Sequence, residues 1–425
     1  MKKLRDVWMK FWFEPSGPDN AGICRILFFG ALFLYYLPQD LSAWATVSSV
    51  FFMPHGLFEH LRIPVLPENA FLILEVIWKA SLLLSCIGFR TRFNMGVAWL
   101  AGIYLLGLPH QFGKTHHYDA MIVLILTVHA FSRSGDAWSL DRLIQTARRG
   151  SQKPVPENGE YTWPVHAAWM IMSLIFFAAG ISKLRHGGID WVTSDHMALL
   201  LIQQPYHLSN ADPIGNIGLA LAQYPILTKL VAASTLIFET GYPLAMFSRR
   251  ARWIFVPGAF LMLAGIRVLM GPTFYPFMIC TLFWVPWDEI VKILKTKMEK
   301  RPRQILFYDG SCGLCQKAMA VVRSLDIAGR VKIYDVFNEW ESVTKQYPVL
   351  RQQQACLDDF HAITPAGKLV AGFDSYRTLA WVLPLTWLLL PFLYFPFVSY
   401  FGKKVYRMIA TGRQHGSCAL PDSKK

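Results

Sequence analysis

Long apolar runs alternate with short polar links along the first 290 residues or so. They fall at about 21–37, 70–89, 94–112, 120–131, 165–181, 225–247, 253–270 and 274–287. A helix rising ~1.5 Å per residue needs about 20 residues to cross a ~30 Å hydrocarbon layer. The pattern therefore predicts about eight transmembrane helices, the fourth and eighth being short for a full crossing. Glu75 and Lys79 stand at i, i+4 in the second run, where a paired acid and base cost the membrane far less than either alone. Arg25, near the start of the first run, is placed to snorkel to the interface. The link 38–68 carries Trp44, Phe51 and Phe52 and is expected at the membrane interface. Residues 132–162 read as an exposed loop with a short helix.

Beyond about residue 300 the pattern changes. QILFYD (304–309) reads as a strand and Gly310 opens a turn. Cys312-Gly-Leu-Cys315 leads into a helical pattern through Leu325, VKIYDV (331–336) is a second strand, and 360–372 reads as a hairpin turning at 365–367. A helix follows from near Ser375. This β-α-β…β-β-α order is that of a thioredoxin-like domain. The expected fold is thus a polytopic α-helical membrane protein, residues 1–300, with a C-terminal α/β thioredoxin-like domain, residues 301–425. The stretch 379–401 is apolar and uncharged but holds Pro384, Pro391 and Pro396, too closely spaced for one clean spanning helix. It reads as helical pieces packed on the domain or lying on the membrane, with a ninth span as the alternative.

Composition supports the membrane reading: 53% hydrophobic, 16% charged and mean hydropathy +0.31. The net charge of +14 invites a nucleic-acid partner. The bases, however, sit in short clusters between apolar runs, as in cytoplasmic loops, so membrane lipid is the expected partner and nucleic acid is not. Lys and Arg number 20 in segments 1–20, 89–93, 132–162, 248–252 and 288–303, against four in the alternate loops. That segregation puts both termini in the cytoplasm, with Lys183 and the pair His116-His117 on the outer side.

Of seven cysteines, Cys24, Cys86 and Cys280 fall in apolar runs and read as packing. Cys312 and Cys315 are spaced for chemistry. A CxxC between strand and helix sets its first sulfur at the helix N-terminus, which favours a thiolate at Cys312. Cys315, one turn on, would resolve a mixed disulfide, making the pair a redox-active dithiol. No second CxxC or His pair accompanies it, so no metal is expected. Asp309 has two readings, a proton relay to the resolving thiol or a turn former.

The remaining chemistry centres on the stretch from Trp163 to Trp191. Small residues Ala178, Ala179 and Gly180 would let a neighbouring helix approach closely, and Lys183 arrives where the apolar run ends. By composition alone Lys183 reads as a snorkelling lysine. However, GISKL (180–184) followed by Asp190-Trp191 resembles vitamin K-dependent gamma-carboxylase. CRILFFGALFLYYLPQD (24–40) is similar to the first helix of the wider HTTM family, and HHYD (116–119) resembles the carboxylase element that supports its active site. The resemblance implies Lys183 as the base that deprotonates a vitamin K-like quinol, with His117 in the supporting histidine position and His116 in place of an asparagine. An ammonium in a low-dielectric pocket loses hydration, so the neutral amine needed for that task becomes available. His116, Trp191 and Glu239 are the candidate quinol-binding residues. Glu239 has a second reading, as partner of a buried cation such as Arg267. The carboxylase's extra lumenal domain has no counterpart here, so protein carboxylation is not implied. Y-D-G-S-C-G-L-C (308–315), with GKLVAG and VYRMIATGR (405–413), resembles the DCC thiol-disulfide oxidoreductase family, which implies catalytic roles for Asp309, Cys312 and Cys315 and a thiol partner protein. The leading expectation is a membrane redox enzyme that joins quinol oxygenation to a dithiol. The alternative is a membrane binding or transport-like protein whose Lys183 fixes an anion or lipid headgroup.

Overall fold

A computed structural model describes residues 2–113, 118–151, 153–207, 215–301 and 303–412 of the protein. The chain divides into two compact units, Met1–Ser139 with Pro156–Trp287, and Leu140–Val155 with Asp288–Lys425.

The first unit is helical. After an amphipathic α1 (Lys2–Phe13), the eight apolar runs all contain helix: α2 (Asp19–Tyr36), α3 (Glu68–Ile87), α4 (Thr91–Gly107), α5 (Tyr118–Phe131), then, past α6 of the second unit (Leu140–Arg149), α7 (Trp163–Gly187), α8 (Pro225–Gly241), α9 (Arg249–Met270) and the short α10 (Tyr275–Cys280). Three helical stretches, not eight, are long and apolar enough among the described residues to cross a membrane unaided: Glu68–Ile87, Gly159–Gly187 and Arg249–Met270. Some of the others are cut short by their own breakers. The third run, for example, closes its helix at Gly107 and continues over Pro109 as a 3-10 turn.

The packing is that of helices in an apolar solvent. On α3 the outward positions Leu72, Ile73, Val76 and Ile77 are large and apolar, whereas Glu75, Ser81 and Ser85 point inward with Trp78 and Leu82. Polar groups inside such a unit need partners within it. Lys79 Nζ lies 2.6 Å from Glu75 Oε1, the pairing expected from their spacing. Glu75 Oε2 also accepts Leu41 N–H at 3.1 Å and Lys79 donates to Gln39 O at 2.6 Å, so the pair fastens the 38–68 link to α3. Arg25 differs from its expected snorkelling role: it is fully buried. Its guanidinium donates to the carbonyls of Ser85, Cys86 (2.8 Å), Ser134 (3.1 Å) and Trp138 (2.7 Å). A planar fork of donors meets the carbonyls at the end of α3, where the helix dipole is negative, and ties them to the segment following α5.

In the second unit, β1 (Gln304–Tyr308), α11 (Gly313–Leu325), β2 (Val331–Asp335), β3 (His361–Ile363), β4 (Leu369–Ala371) and α12 (Phe373–Val382) follow the order expected from sequence. The sheet order is β2-β1-β3-β4, with β1 and β2 parallel and the other pairs antiparallel. Gly367, at φ +81°, closes the β3–β4 turn where Cβ-bearing residues are strained. Helix α6 packs against α11 in this unit. The last described elements are helical arms at Pro384–Leu393 and α13 (Val398–Thr411), bent 109° at their break.

Replacing Arg25 by Met would leave buried carbonyls without donors, at about 1–3 kcal/mol each. The thermal midpoint of the purified variant is expected to fall by several degrees, and Arg25→Lys, lacking the fork, by less. Unfolding at the wild-type temperature would count against the clamp.

Candidate functional site

In the first unit, α7 and α8 cross where the small residues of α7 lie. A Cβ on Gly180 would come within 2.8 Å of Thr240 Cγ2 and 3.0 Å of the Thr240 backbone nitrogen. This close approach carries Glu239 on α8 to Lys183 on α7. The ammonium meets both carboxylate oxygens, at 2.7 and 2.6 Å, with side-chain exposures of 21% for Lys183 and 9% for Glu239. Glu239 thus partners Lys183, whereas Arg267 donates to Gly271 O at 2.9 Å. Lys183 turns to a carboxylate on the neighbouring helix.

Trp191 completes the setting. Lys183 Nζ lies 5.4 Å from its ring centroid, within cation–π range. Its indole N–H is buried with no hydrogen-bond partner. Lys183 and Trp191 line a cavity of about 430 Å³ with His186, Asp190, Ser194 and His196. His186 Nδ1 lies 2.9 Å from Ser182 O. Sequence reasoning missed His186 and His196, which stand within one turn or so of residues it named. His116 and His117 lie outside the described residues. Asp119, of the same motif, is buried, 3.4 Å from His110 Nε2 and 3.4 Å from the Tyr36 hydroxyl that donates to it.

In the second unit Cys312 is the N-cap of α11 and Cys315 lies in its first turn. The described cysteines, these two included, form no disulfide among themselves. Their exposures differ: Cys312 is 3% exposed, while Cys315 is half-buried. The preceding loop is built by two aspartates. Asp309 Oδ1 accepts Ser311 N–H at 2.8 Å and its hydroxyl at 2.6 Å, an Asx turn that realises the turn-forming reading. Asp335, at the end of β2, accepts Gly310 N–H at 3.1 Å and Phe337 N–H at 2.9 Å. A Cβ on Gly310 would overlap the Asp335 carboxylate, so only glycine fits there. Gln316 Nε2 donates to Gly310 O at 2.5 Å from the helix side. The site therefore sits where parallel β1 and β2 end together. The parallel register, Tyr308 beside Asp335, is the signal that would have found Asp335. Burial pushes the thiol of Cys356 up to about 11, which disfavours its thiolate at neutral pH. Among the described residues no His, Cys, Asp or Glu cluster is arranged to hold a metal ion.

A family model for the HTTM domain matches residues 13–287, and one for DCC1-like thiol-disulfide oxidoreductase matches residues 306–419. No curated protein and no solved structure matches the chain.

Gly310→Ala is expected to displace the loop from Asp335 and slow alkylation of Cys312 and Cys315 at least tenfold, as read by mass spectrometry of the two-cysteine peptide. Wild-type rates would show that the Asp335 cradle does not govern the thiols.

Proposed function

Since the chain belongs to the HTTM domain family and carries a DCC1-like thiol-disulfide oxidoreductase domain, we propose that it is a membrane redox enzyme with two reaction centres, a lysine base for a quinol and a cytoplasmic dithiol of thioredoxin-like architecture. The contact of Lys183 with both oxygens of Glu239, beside a cavity faced by Trp191, is the observation that carries the first. An ammonium so held is not a base. Transfer of one proton from Nζ to a Glu239 oxygen would leave an amine lone pair and a neutral carboxylic acid. The free amine then accepts the proton of a hydroxyl presented in the cavity, and Glu239 keeps Nζ oriented. The ring of Trp191, which lines the cavity, suits a flat apolar ligand. A vitamin K-like quinol fits these groups. Bound there, it would supply the acidic hydroxyl and the electrons for reaction with oxygen. His117 and His116 keep their expected supporting roles in this reading. Because Glu239 neutralises Lys183, the pair is poorly suited to capture an anion, and this disfavours the headgroup-binding alternative.

At the second centre a thiolate at Cys312 attacks a partner disulfide, forming a mixed disulfide and releasing the partner's thiolate. Cys315 then displaces the partner's remaining sulfur and closes the intramolecular disulfide, so two electrons pass to the partner. Asp309 and Asp335 position the loop. The 20-to-4 segregation of Lys and Arg supports cytoplasmic termini, with Lys183 toward the outer side. A quinone moving through the bilayer would connect the two centres.

Purified protein is expected to consume oxygen when given a naphthoquinol. Lys183→Ala should abolish the uptake. Lys183→Arg should fail as well, since a guanidinium stays protonated, and Glu239→Gln should cost about 10²-fold, the usual scale for a group serving proton transfer. Full uptake in Lys183→Ala would return the pair to a purely structural role. For the dithiol, Cys315→Ser should trap a mixed disulfide through Cys312 and Cys312→Ser should trap none, the reverse outcome assigning attack to the more exposed Cys315. In sealed cells an impermeant maleimide should leave both unlabelled, and labelling would invert the orientation.

A further inference from the structure

We propose that the helical arms closing the second unit, Pro384–Leu393 and α13, form a monotopic docking surface that embeds in one leaflet of an anionic membrane without crossing it. Between residues 384 and 412 there is no Asp or Glu, while Lys403, Lys404 and Arg407 all lie on α13. Leu388 is 86% exposed, and Phe392, Phe397, Tyr400 and Met408 are each about 70% or more. Apolar surface gathered this way on one unit marks an interaction face.

Two observations argue against a span. The first is length: α13 has 14 residues, about 21 Å at 1.5 Å each, short of a ~30 Å core. The arms meet at 109° over Pro396 and Phe397, the latter at φ +76°. The second is anchorage, since the inner sides of both arms are fastened to the mixed sheet and its helices. Arg377 donates to Leu393 O at 3.2 Å and stacks 4.3 Å from the Tyr394 ring. Lys403 pairs with Asp374 at 2.8 Å, and Phe360 N–H donates to the Tyr406 hydroxyl at 2.9 Å. Gly402 lies so close to the Phe373 ring that a Cβ would overlap it. A segment held at both arms cannot thread a bilayer while its domain stays in water.

The charge pattern selects the occupant. With Lys403 engaged by Asp374, Lys404 and Arg407 remain among the exposed aromatic and aliphatic side chains, both exposed themselves. Long basic side chains bury their stems beside apolar groups and reach anionic headgroups, and Trp387, Tyr394 and Tyr400 suit the interfacial layer. A second copy on this face would set Lys404 and Arg407 against their own kind.

Full-length protein in proteoliposomes tests this, with a nitroxide at Leu388→Cys or Met408→Cys and the remaining accessible cysteines replaced by Ser. Oxygen and nickel-chelate accessibilities then read the probe's depth. In phosphatidylcholine vesicles containing phosphatidylglycerol, both probes are expected roughly 5–10 Å below the headgroup boundary. Lys404→Glu and Arg407→Glu should each lower the embedded fraction more than fivefold, because losing one base near an anionic surface accounts for about fivefold and the added acid is repelled as well. Lys404→Gln, a milder change, should act in the same direction. Water-exposed probes in every vesicle, a depth at the bilayer centre, or spin–spin broadening from a second copy would each overturn the proposal.

Discussion

A cation inside an apolar helical bundle must find its acceptors within the protein, because lipid offers none and an uncompensated buried charge costs several kcal/mol. The first unit meets that demand in three places. Arg25 is satisfied by carbonyls at the end of α3 and in the segment after α5. Lys79 is satisfied by Glu75 and the 38–68 link, and Lys183 by Glu239. Each of these contacts also fixes elements distant in sequence, so the charges define the bundle's geometry as much as the apolar packing does. At Lys183 the contact that stabilises a helix crossing is also the contact proposed to move a proton. The stability of α7 against α8 and the reactivity of the amine are therefore coupled.

How far this was legible depended on sequence separation. Glu75 and Lys79 are one helical turn apart, and periodicity alone pairs them. The close approach at Ala178–Gly180 was readable from residue size, but not its target. Glu239 lies 56 positions from Lys183, and only the crossing of two helices decides that it pairs with the Lys183 ammonium and not with the Arg267 guanidinium. Arg25 was misplaced because its position near a run's end does not reveal the carbonyls that converge there. Eight apolar runs were read as about eight spans, whereas among the described residues three stretches are long and apolar enough to suffice alone.

The second unit was read more completely, because its signals are local: alternating strands, Gly and Pro turns, and a CxxC beside a strand end. What escaped was adjacency. Asp335 reaches Gly310 because β1 and β2 run parallel and end together. The relative exposure of Cys312 and Cys315 likewise depends on what surrounds the first turn of α11, not on their order in it.

Helix α6 carries a consequence for the protein's modularity. It belongs with α11 although first-unit sequence flanks it on both sides. The chain thus passes between its units at three joints, after Ser139, Val155 and Trp287. During synthesis, α6 is made long before the domain it packs on, so its amphipathic face must wait through the whole membrane-inserting stretch that follows. A chain cut at Trp287 would not yield one clean module but a membrane unit trailing an orphaned ten-residue helix. The two family matches run in series along the chain, yet the units exchange segments of chain and are not separable by one cut.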